Sequence, residues 1–587
     1  MNPVEQYETK RYLNELIRSQ LDIERSSFFS HWSDLGTYIM PRRPRFVISD
    51  VNRGDRRNQA IIDSTATFAA RTLASGMMSG VTSPARPWFR LSTPTPGMME
   101  NAAIKLWLYE VGNIMSTVFL RSNLYNVLPI IYGDMGTFGT ACMFVEEDFD
   151  GDVMRFYPFA IGEYMISNND KLKVDCFVRE FQMTVRQIVK KFGKFDANGR
   201  IVDWDNFSLN IRNLWERGQR EAWIDLVHVV KENEYYDPRK LESKYKKYMS
   251  CYYERGSDGS SQDTTFQDRL LRESGYDYFP ILAPRWEVNG EDAYGTNCPG
   301  MIALGDVKQL QLGERRMMQA IEKMVNPPMV APTSMRQSKT SILPGDITYA
   351  DTRDGMGGFR PAHEVNPRVQ ELAYKQQEVQ KRIQRAYFED LFLMLASSNR
   401  REITAREIEE RHEEKLLALG PVLEQLNQDL LDPLIDITFQ ICLRQDLFPP
   451  PPKELEGVDL KVEYISVMAQ AQKLVGIAGL ERFAGFAQGV IAADPSGQTL
   501  DKVDLDQMLD VYADAVSIAP NIVRSDDAVA EIRAGRQQAM AQQQKAQRFA
   551  EGARAVKDLA GASTDPQSPN ALTRMIESAN ANKLVET

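Results

Sequence analysis

The sequence predicts an α+β fold that is mainly α and divided into several regions. Three observations lead there. The chain has 587 residues, and single cores stop growing at roughly 250–300, so about three or four regions are expected. Apolar residues recur every three or four positions over long stretches, the spacing of an amphipathic helix. In several segments between residues 140 and 288 the period shortens to two, the spacing of strands. A hydrophobic fraction of 43% and a charged fraction of 26% are ordinary for a globular chain that buries a core.

Residues 4–40 read as a helix, with Leu13, Leu16, Ile17, Leu21 and Phe28 at helical spacing and a stop before Pro41. Pro41 to Arg45 is an extended basic segment. Residues 57–80 form a helix of small and apolar residues, ended by Gly76 and Gly80, that a neighbour can approach closely. Pro84 and Pro87 then force an extended chain, and a further helix covers 99–120. The stretch TACMFVEEDFDGDVMRFYPF alternates around Asp150-Gly151, a hairpin signal. EYMISNND and KVDCFVREFQM are strands. Thr184 caps a short helix that Gly193 closes. Strands follow at 223–231, 247–254 and 278–288, and 255–263 is a polar, Gly/Ser-rich loop.

Helical spacing returns at 301–325, where Val307, Leu310, Met317, Ile321 and Met324 share a face interrupted by Glu314. At 1.5 Å per residue this helix is roughly 37 Å long, and Pro327-Pro328 stops it. Residues 327–363 are irregular and rich in Pro and Gly, with small strands suggested by Ile342 and by Ile347 to Tyr349. A helix over 365–394 places Val365, Val369, Leu372, Val379, Ile383 and Ala386 together. Two long helices thus flank a compact insertion. The pattern breaks at 395–403. Thr404 and Glu407 then form a capping box for the longest helix, with Leu416, Leu419, Leu423, Leu426, Leu430, Leu434, Ile437 and Ile441 in one stripe. Pro421 and Pro433 should kink it. FPPPPKEL is a stiff linker, LKVEYIS a strand, and 466–493 and 501–518 helices. From 524 the chain is rich in Ala, Gln and Arg, a polar helix or partly disordered extension.

The formal net charge is −11. Tight DNA binders carry basic surfaces, because affinity comes from neutralising phosphates; this chain as a whole is not built to grip DNA. The cysteines, Cys142, Cys176, Cys251, Cys298 and Cys442, are scattered, with no CxxC, and read as reduced and buried. The charged N-terminal stretch has no secretory character. No run of 18 apolar residues suggests a membrane span. GxxxxGK[ST], HExxH, GxSxG and GxGxxG are all missing. His31, His228, His363 and His412 are dispersed and read as structural. Glu146-Glu147-Asp148 and Glu409-Glu410 read as solvated faces rather than metal ligands. No enzyme, cofactor or metal site is therefore expected.

Four ordered segments carry a resemblance: RTLASGMMSGVTSPARPWFRL (71–91), YGDMGTFGTACMFVEED (132–148), PILAPRWEVNGEDAYGTNCPG (280–300) and EITAREIEERHEEKLLALGPVLEQL (402–426). Together they resemble the head-to-tail connector, or portal, family of podoviruses, the short-tailed bacteriophages. The resemblance implies the portal fold of wing, stem, clip and crown, assembled as a ring, usually a dodecamer, at one capsid vertex of the virion. Residues 1–300 would be the wing, 301–326 and 364–394 the stem helices, and 327–363 the clip. Residues 395–403 would be the tunnel loop, 404–520 the kinked helix and crown, and 521–587 a Gln-rich tail or barrel.

The resemblance also implies partners: double-stranded DNA passing through without sequence specificity, terminase, tail adaptor proteins, and capsid and scaffolding proteins. No membrane is among them. Synthesis would be in the bacterial cytoplasm. A sliding channel should be acidic or charge-balanced, and 301–325 carries four basic and three acidic residues, 364–394 five of each. Candidate DNA-proximal residues are Lys308, Arg315, Arg316, Lys323, Lys375, Arg382 and Arg385 on the stem, and Arg400 and Arg401 in the tunnel loop. The structural alternative is that most of them make salt bridges between subunits or face solvent. Trp88 and Phe89 read as core or interface anchors. Competing functions are another oligomeric virion protein, such as a tail or adaptor subunit, and an enzyme of unknown type.

Overall fold

The computed structural model describes residues 10–47, 54–85, 87–94, 98, 101–149, 151–196, 201–256, 270–327, 329–330, 336, 360–361, 369–397, 419–455, 460–464, 507–509 and 526–560. The chain divides into two compact units. The first is Met1–Ser92, Leu108–Pro451 and Leu460–Val503; the second is Thr93–Trp107, Pro452–Asp459 and Asp504–Thr587.

The first unit opens with α1 (Lys10–Tyr38), an amphipathic helix whose buried side includes Leu21, Trp32 and Leu35. The helix α2 begins at Thr65 and ends at Gly80, so the expected helical start at 57 falls eight residues too early. Then come β1 (Phe89–Ser92), α3 (Ala102–Arg121) and α4 (Leu124–Phe138). Small residues do the work expected of them here. A Cβ on Gly76 would lie 2.2 Å from the Phe392 ring, and one on Gly136 would lie 2.2 Å from Leu73. Glycine is what lets α2 touch both neighbours.

Two antiparallel sheets follow. β2 (Met143–Asp148) and β3 (Val153–Pro158) make the expected hairpin, in register from Met143↔Pro158 to Asp148↔Val153, with β11 (Ile281–Leu282) beside β2. A five-stranded sheet has the order β10-β9-β8-β5-β4, from β4 (Tyr164–Asn168), β5 (Val174–Thr184), β8 (Trp223–Glu232), β9 (Tyr248–Glu254) and β10 (Arg272–Tyr276). Both its faces are covered, so β8 reads as an almost continuous apolar run. Val227 and Val229 pack with Leu21 of α1. On the other face, Ile224 and Leu226 meet Val185, Ile188 and Val189 of α5 (Val185–Phe192) and Ile211 of α6 (Leu209–Glu216). The cap of α5 is the expected one: Thr184 and Gln187 form a reciprocal capping box, and Gly193 is the C-cap. Short strands β6 (Lys194–Phe195) and β7 (Ile201–Asp203) pair between α5 and α6. Glu180 of β5 ties the sheet to α1, receiving Arg18 at 2.9 Å and Arg25 at 3.2 Å, with Arg255 at 3.4 Å.

The helix α7 (Pro299–Val325) matches expectation, and β12 (Met329–Val330) pairs antiparallel with β13 (Arg360–Pro361) at the base of the insertion. The small strands expected at Ile342 and at Ile347 to Tyr349 lie outside the described residues. The helix expected over 365–394 is instead two: α8 (Val369–Ala386) and α9 (Glu389–Ser397). Phe388, with φ of +55°, breaks it, because a left-handed residue cannot continue a right-handed helix. α9 carries helical structure to Ser397, past the expected boundary before 395. Similarly, the strand expected at 278–288 contracts to Ile281–Leu282.

The long helix is helical at 419–426, passes through a π-helical turn at Asn427–Leu431, and continues as α10 (Asp432–Arg444). Pro433 explains the turn. It has no N–H for the carbonyl of residue 429, and its ring would press on that carbonyl. Widening to an i→i−5 bond, Asp432 N–H to the Asn427 carbonyl, accommodates it. Leu419, Leu426, Leu430, Leu434, Ile437 and Ile441 are buried, as the stripe requires. The helix start at Thr404, the loop at 398–403 and the helices at 466–493 lie outside the described residues. So does most of 501–518; Gln507–Leu509 is helical. β14 (Lys461–Tyr464) pairs with β1. In the second unit, α11 (Asp526–Ala560) makes the polar tail a helix.

Candidate functional site: the helical pillar

The site that the sequence singles out is the pair of long helices and their insertion. α7 and α8 pack antiparallel: Asp306 faces Arg382 at 2.9 Å, while Gly313 faces Gln376. Moving along α7 thus moves back along α8, and the β12–β13 pair closes the far end. Val307 and Leu310 on α7 and Val379 and Ile383 on α8 are buried. These apolar positions hold the pillar at its inner half.

A polar wedge fixes how the pillar meets the rest of its unit. The Gln311 side-chain oxygen accepts the N–H groups of Ile62 (2.7 Å) and Asp63 (2.9 Å), and its amide donates to the Asp63 carbonyl (2.7 Å). Gln380 of α8 donates to Asp63 Oδ2 at 2.8 Å, while Asp63 Oδ1 accepts the Thr65 N–H at the start of α2. One aspartate therefore joins α7, α8 and α2. Nothing local in the sequence marks this trio. The only signal is a glutamine beside Leu310 on a face that otherwise buries carbon.

A second anchor joins the long helix to the strand region. Arg285, 1% exposed, donates Nε to Asp429 Oδ2 at 2.9 Å and Nη2 to Asp429 Oδ1 at 3.0 Å. Its remaining donors reach Asn168 Oδ1 (3.1 Å) and the Leu172 carbonyl (2.9 Å). Asp429 sits on the π-helical turn, so the widening around Pro433 also sets the carboxylate that holds Arg285.

The predicted cationic residues separate into groups. Lys308 pairs with Asp34 at 2.6 Å, and Arg382 with Asp306, so both are engaged within the chain. Arg385 is exposed and lines a cleft with Arg382. Arg315, Arg316, Lys323 and Lys375 are exposed along the pillar. Arg400 and Arg401 lie outside the described residues. The basic segment at 41–45 faces inward in part: Arg43 donates to Asp134 at 2.7 Å, and burial pushes that carboxyl above its ordinary range while Arg43 opposes the shift. Trp88 and Phe89 are core: Trp88 stacks on Phe119, Phe89 meets the same ring edge-on, and Trp88 donates to the Tyr125 hydroxyl at 3.2 Å.

The described reactive side chains are placed for packing. His228 is enclosed between strands, stacked on Tyr252 at 3.9 Å with its Nε2 2.9 Å from Ser250 Oγ, and burial holds it well below the usual histidine range. Burial pushes the thiols of Cys176, Cys251 and Cys298 up to about 12, the opposite of an activated nucleophile. Among the described residues no cluster of His, Cys, Asp or Glu could hold a metal, and no helix is long and apolar enough to cross a membrane.

Residues 15–523 match the family described as "Bacteriophage head to tail connecting protein". The chain is 47% identical over 577 residues to the "Portal protein" of Salmonella phage epsilon15, covering 98% of this chain and 99% of that one. It is 42% identical over 572 residues to the "Probable portal protein" of Bordetella phage BPP-1, covering 97% and 98%.

Proposed function

The chain belongs to the bacteriophage head to tail connecting protein family, and from that membership we propose that it works as a portal: a closed ring at one capsid vertex through which DNA enters and leaves. Its partners are those of a connector, the capsid on one side and tail proteins on the other. Terminase, scaffolding protein and double-stranded DNA complete the set, and the ring has twelve subunits. The chain is a structural channel rather than an enzyme, made in the host cytoplasm and carried in the virion. The wing is 1–300, the stem 301–326 and 364–394, and the clip 327–363. The tunnel loop is 395–403, the kinked helix and crown 404–520, and the tail 521–587.

One observation carries the ring reading. The outer half of the pillar exposes carbon: Met318 is 59% exposed, Val325 80% and Tyr374 73%, beside Ile321, Met324 and Leu372. The inner half of the same helices buries Val307, Leu310, Val379 and Ile383, and an exposed apolar patch of this kind marks an interface. Copies packed side by side around an axis would cover it, and head-to-tail contacts of this kind close into rings. The pillar also suits a sliding passage. DNA carries one negative charge per roughly 1.7 Å of axis, and helices of near-balanced charge offer it little to hold. Arg315, Arg316, Lys323 and Lys375, with Arg400 and Arg401 in the loop, are the cations proposed to approach it; Lys308, Arg382 and Arg385 stand nearer the pillar's inner end.

Native mass spectrometry with negative-stain imaging of the purified chain tests this. Closed rings with a central hole are expected. A filament or a solid oligomer would favour an adaptor or tail subunit, and a stable monomer would end the portal reading.

A further inference from the structure

A cleft of about 360 Å³ opens where the pillar meets the strand region, lined by Trp286, Pro299, Ile302, Arg382, Arg385, Ala386 and Phe388. Its floor is apolar and its rim carries two guanidinium groups. The helix break builds it: the left-handed Phe388 sends its ring to 6.4 Å from Trp286. Such a backbone conformation costs of order 1–3 kcal/mol and persists where the surroundings enforce it. Ile302 is 65% exposed at the mouth. Space of about 150 Å³ is enough for a benzene ring, so this cleft has room for one aromatic side chain.

The matching shape is elsewhere in the same unit. Phe149, at the tip of the β2–β3 hairpin, is 82% exposed, the most exposed aromatic among the described residues. It lies in the sequence Glu146-Glu147-Asp148-Phe149-Asp150-Gly151-Asp152, an aromatic ring inside a cluster of carboxylates. Ring and charges complement an apolar cleft rimmed by arginines. The hairpin cannot serve its own cleft. Its base is tied to the cleft wall by the Ile281↔Phe144 and Thr140↔Arg285 pairings, and six residues of strand carry the tip about 20 Å away. Gln445 and Arg444 of α10 hold Glu147, at 3.0 and 3.8 Å, and keep the hairpin from folding back.

We infer that the Phe149 hairpin tip of one copy seats in the Trp286–Phe388 cleft of the next, its carboxylates against Arg385 and beside Arg382, which also holds Asp306 of its own chain at 2.9 Å. This rests on the ring reading and adds a named, heterologous contact to it. A tip and a socket on different parts of one chain propagate head to tail, as a ring requires.

The test is cross-linking in purified assemblies with Phe149→Cys and Ile302→Cys combined, using a short bis-maleimide. Expected is a ladder of covalent multimers on denaturing gels, absent from each single variant. Phe149→Asp should raise the concentration needed for half-assembly at least tenfold, while Phe149→Trp should leave it within threefold of the parent. Rings that form normally yet give no ladder, or Phe149→Asp rings that assemble like the parent, overturn this contact and leave the ring reading standing. A faster-migrating monomer, the sign of a link within one chain, also overturns it. Absence of rings in the parent overturns both.

Discussion

Replacing Asp429 by Asn should destabilise the chain far more than any exposed ion pair would. The carboxylate accepts two parallel bonds from Arg285, at 2.9 and 3.0 Å, and the two side chains are only 7% and 1% exposed. Asparagine keeps the shape but leaves a buried guanidinium with one oxygen where it had two charged ones. Removing one partner of such a pair costs about 3–5 kcal/mol, most of it the penalty of the stranded charge. For comparison, Lys308–Asp34 has side chains 42% and 45% exposed, and Asp34→Asn should cost under about 1 kcal/mol. Extending the trend of smaller domains, 1 kcal/mol moves the midpoint of a unit this large by roughly 1–2 °C. Asp429→Asn should therefore lower the calorimetric midpoint by about 3–10 °C, measured at matched protein concentration because assembly contributes to it. Arg285→Met with Asp429→Leu removes both charges and should recover at least half of the loss. If Asp429→Asn shifts the midpoint by less than about 1 °C, or if the double variant is no better than the single one, Arg285–Asp429 is not the anchor described above.

Three further outcomes follow from particular residues. His228 is held below its ordinary titration range by burial, so the unfolded chain binds its proton first. The neutral ring contributes stability fully present above about pH 6.5, lost at up to about 1.4 kcal/mol per pH unit as pH falls below that. Urea midpoints taken between pH 7.5 and 5.5 should fall less steeply in His228→Asn, and identical slopes would refute it. Gly76→Ala puts a methyl 2.2 Å from the Phe392 ring, an overpacking cost of about 1–3 kcal/mol; adding Phe392→Leu should restore part of the urea midpoint, and no restoration would mean the strain lies elsewhere. Arg400→Ala with Arg401→Ala should leave ring mass unchanged while altering how much DNA infected cells retain in heads, read by quantifying encapsidated DNA. Unchanged retention would remove the pair from the channel.

The elements that were legible in advance are those whose cause is local. Thr184 and Gln187 cap α5 by bonds three residues apart, and the β2–β3 hairpin follows from alternation on either side of its turn. α7 shows its apolar face at helical spacing. What escaped was set by distant contacts. α4 has eleven of its fifteen residues buried; with no polar face it has no readable period, and Pro129, Gly133 and Gly136 look like breakers. The break at Phe388 is invisible because apolar residues continue across it, and packing beside Trp286 selects its backbone. The Asp63–Gln311–Gln380 wedge joins residues 248 and 317 apart, and no spacing rule connects them. The same holds for the candidate cations. The sequence supplied their charge and helix, but not that Lys308 and Arg382 already have acidic partners in the chain.

A reconstruction of the assembled particle by electron cryomicroscopy puts the whole interpretation at risk at once. It should show α7 and α8 side by side with their copies around an opening wide enough for a duplex, the carbon of Met318, Ile321 and Met324 covered between neighbours. If those helices sat on the outer rim, or if their exposed apolar side chains met nothing in the complete particle, the pillar would not be the wall of a channel.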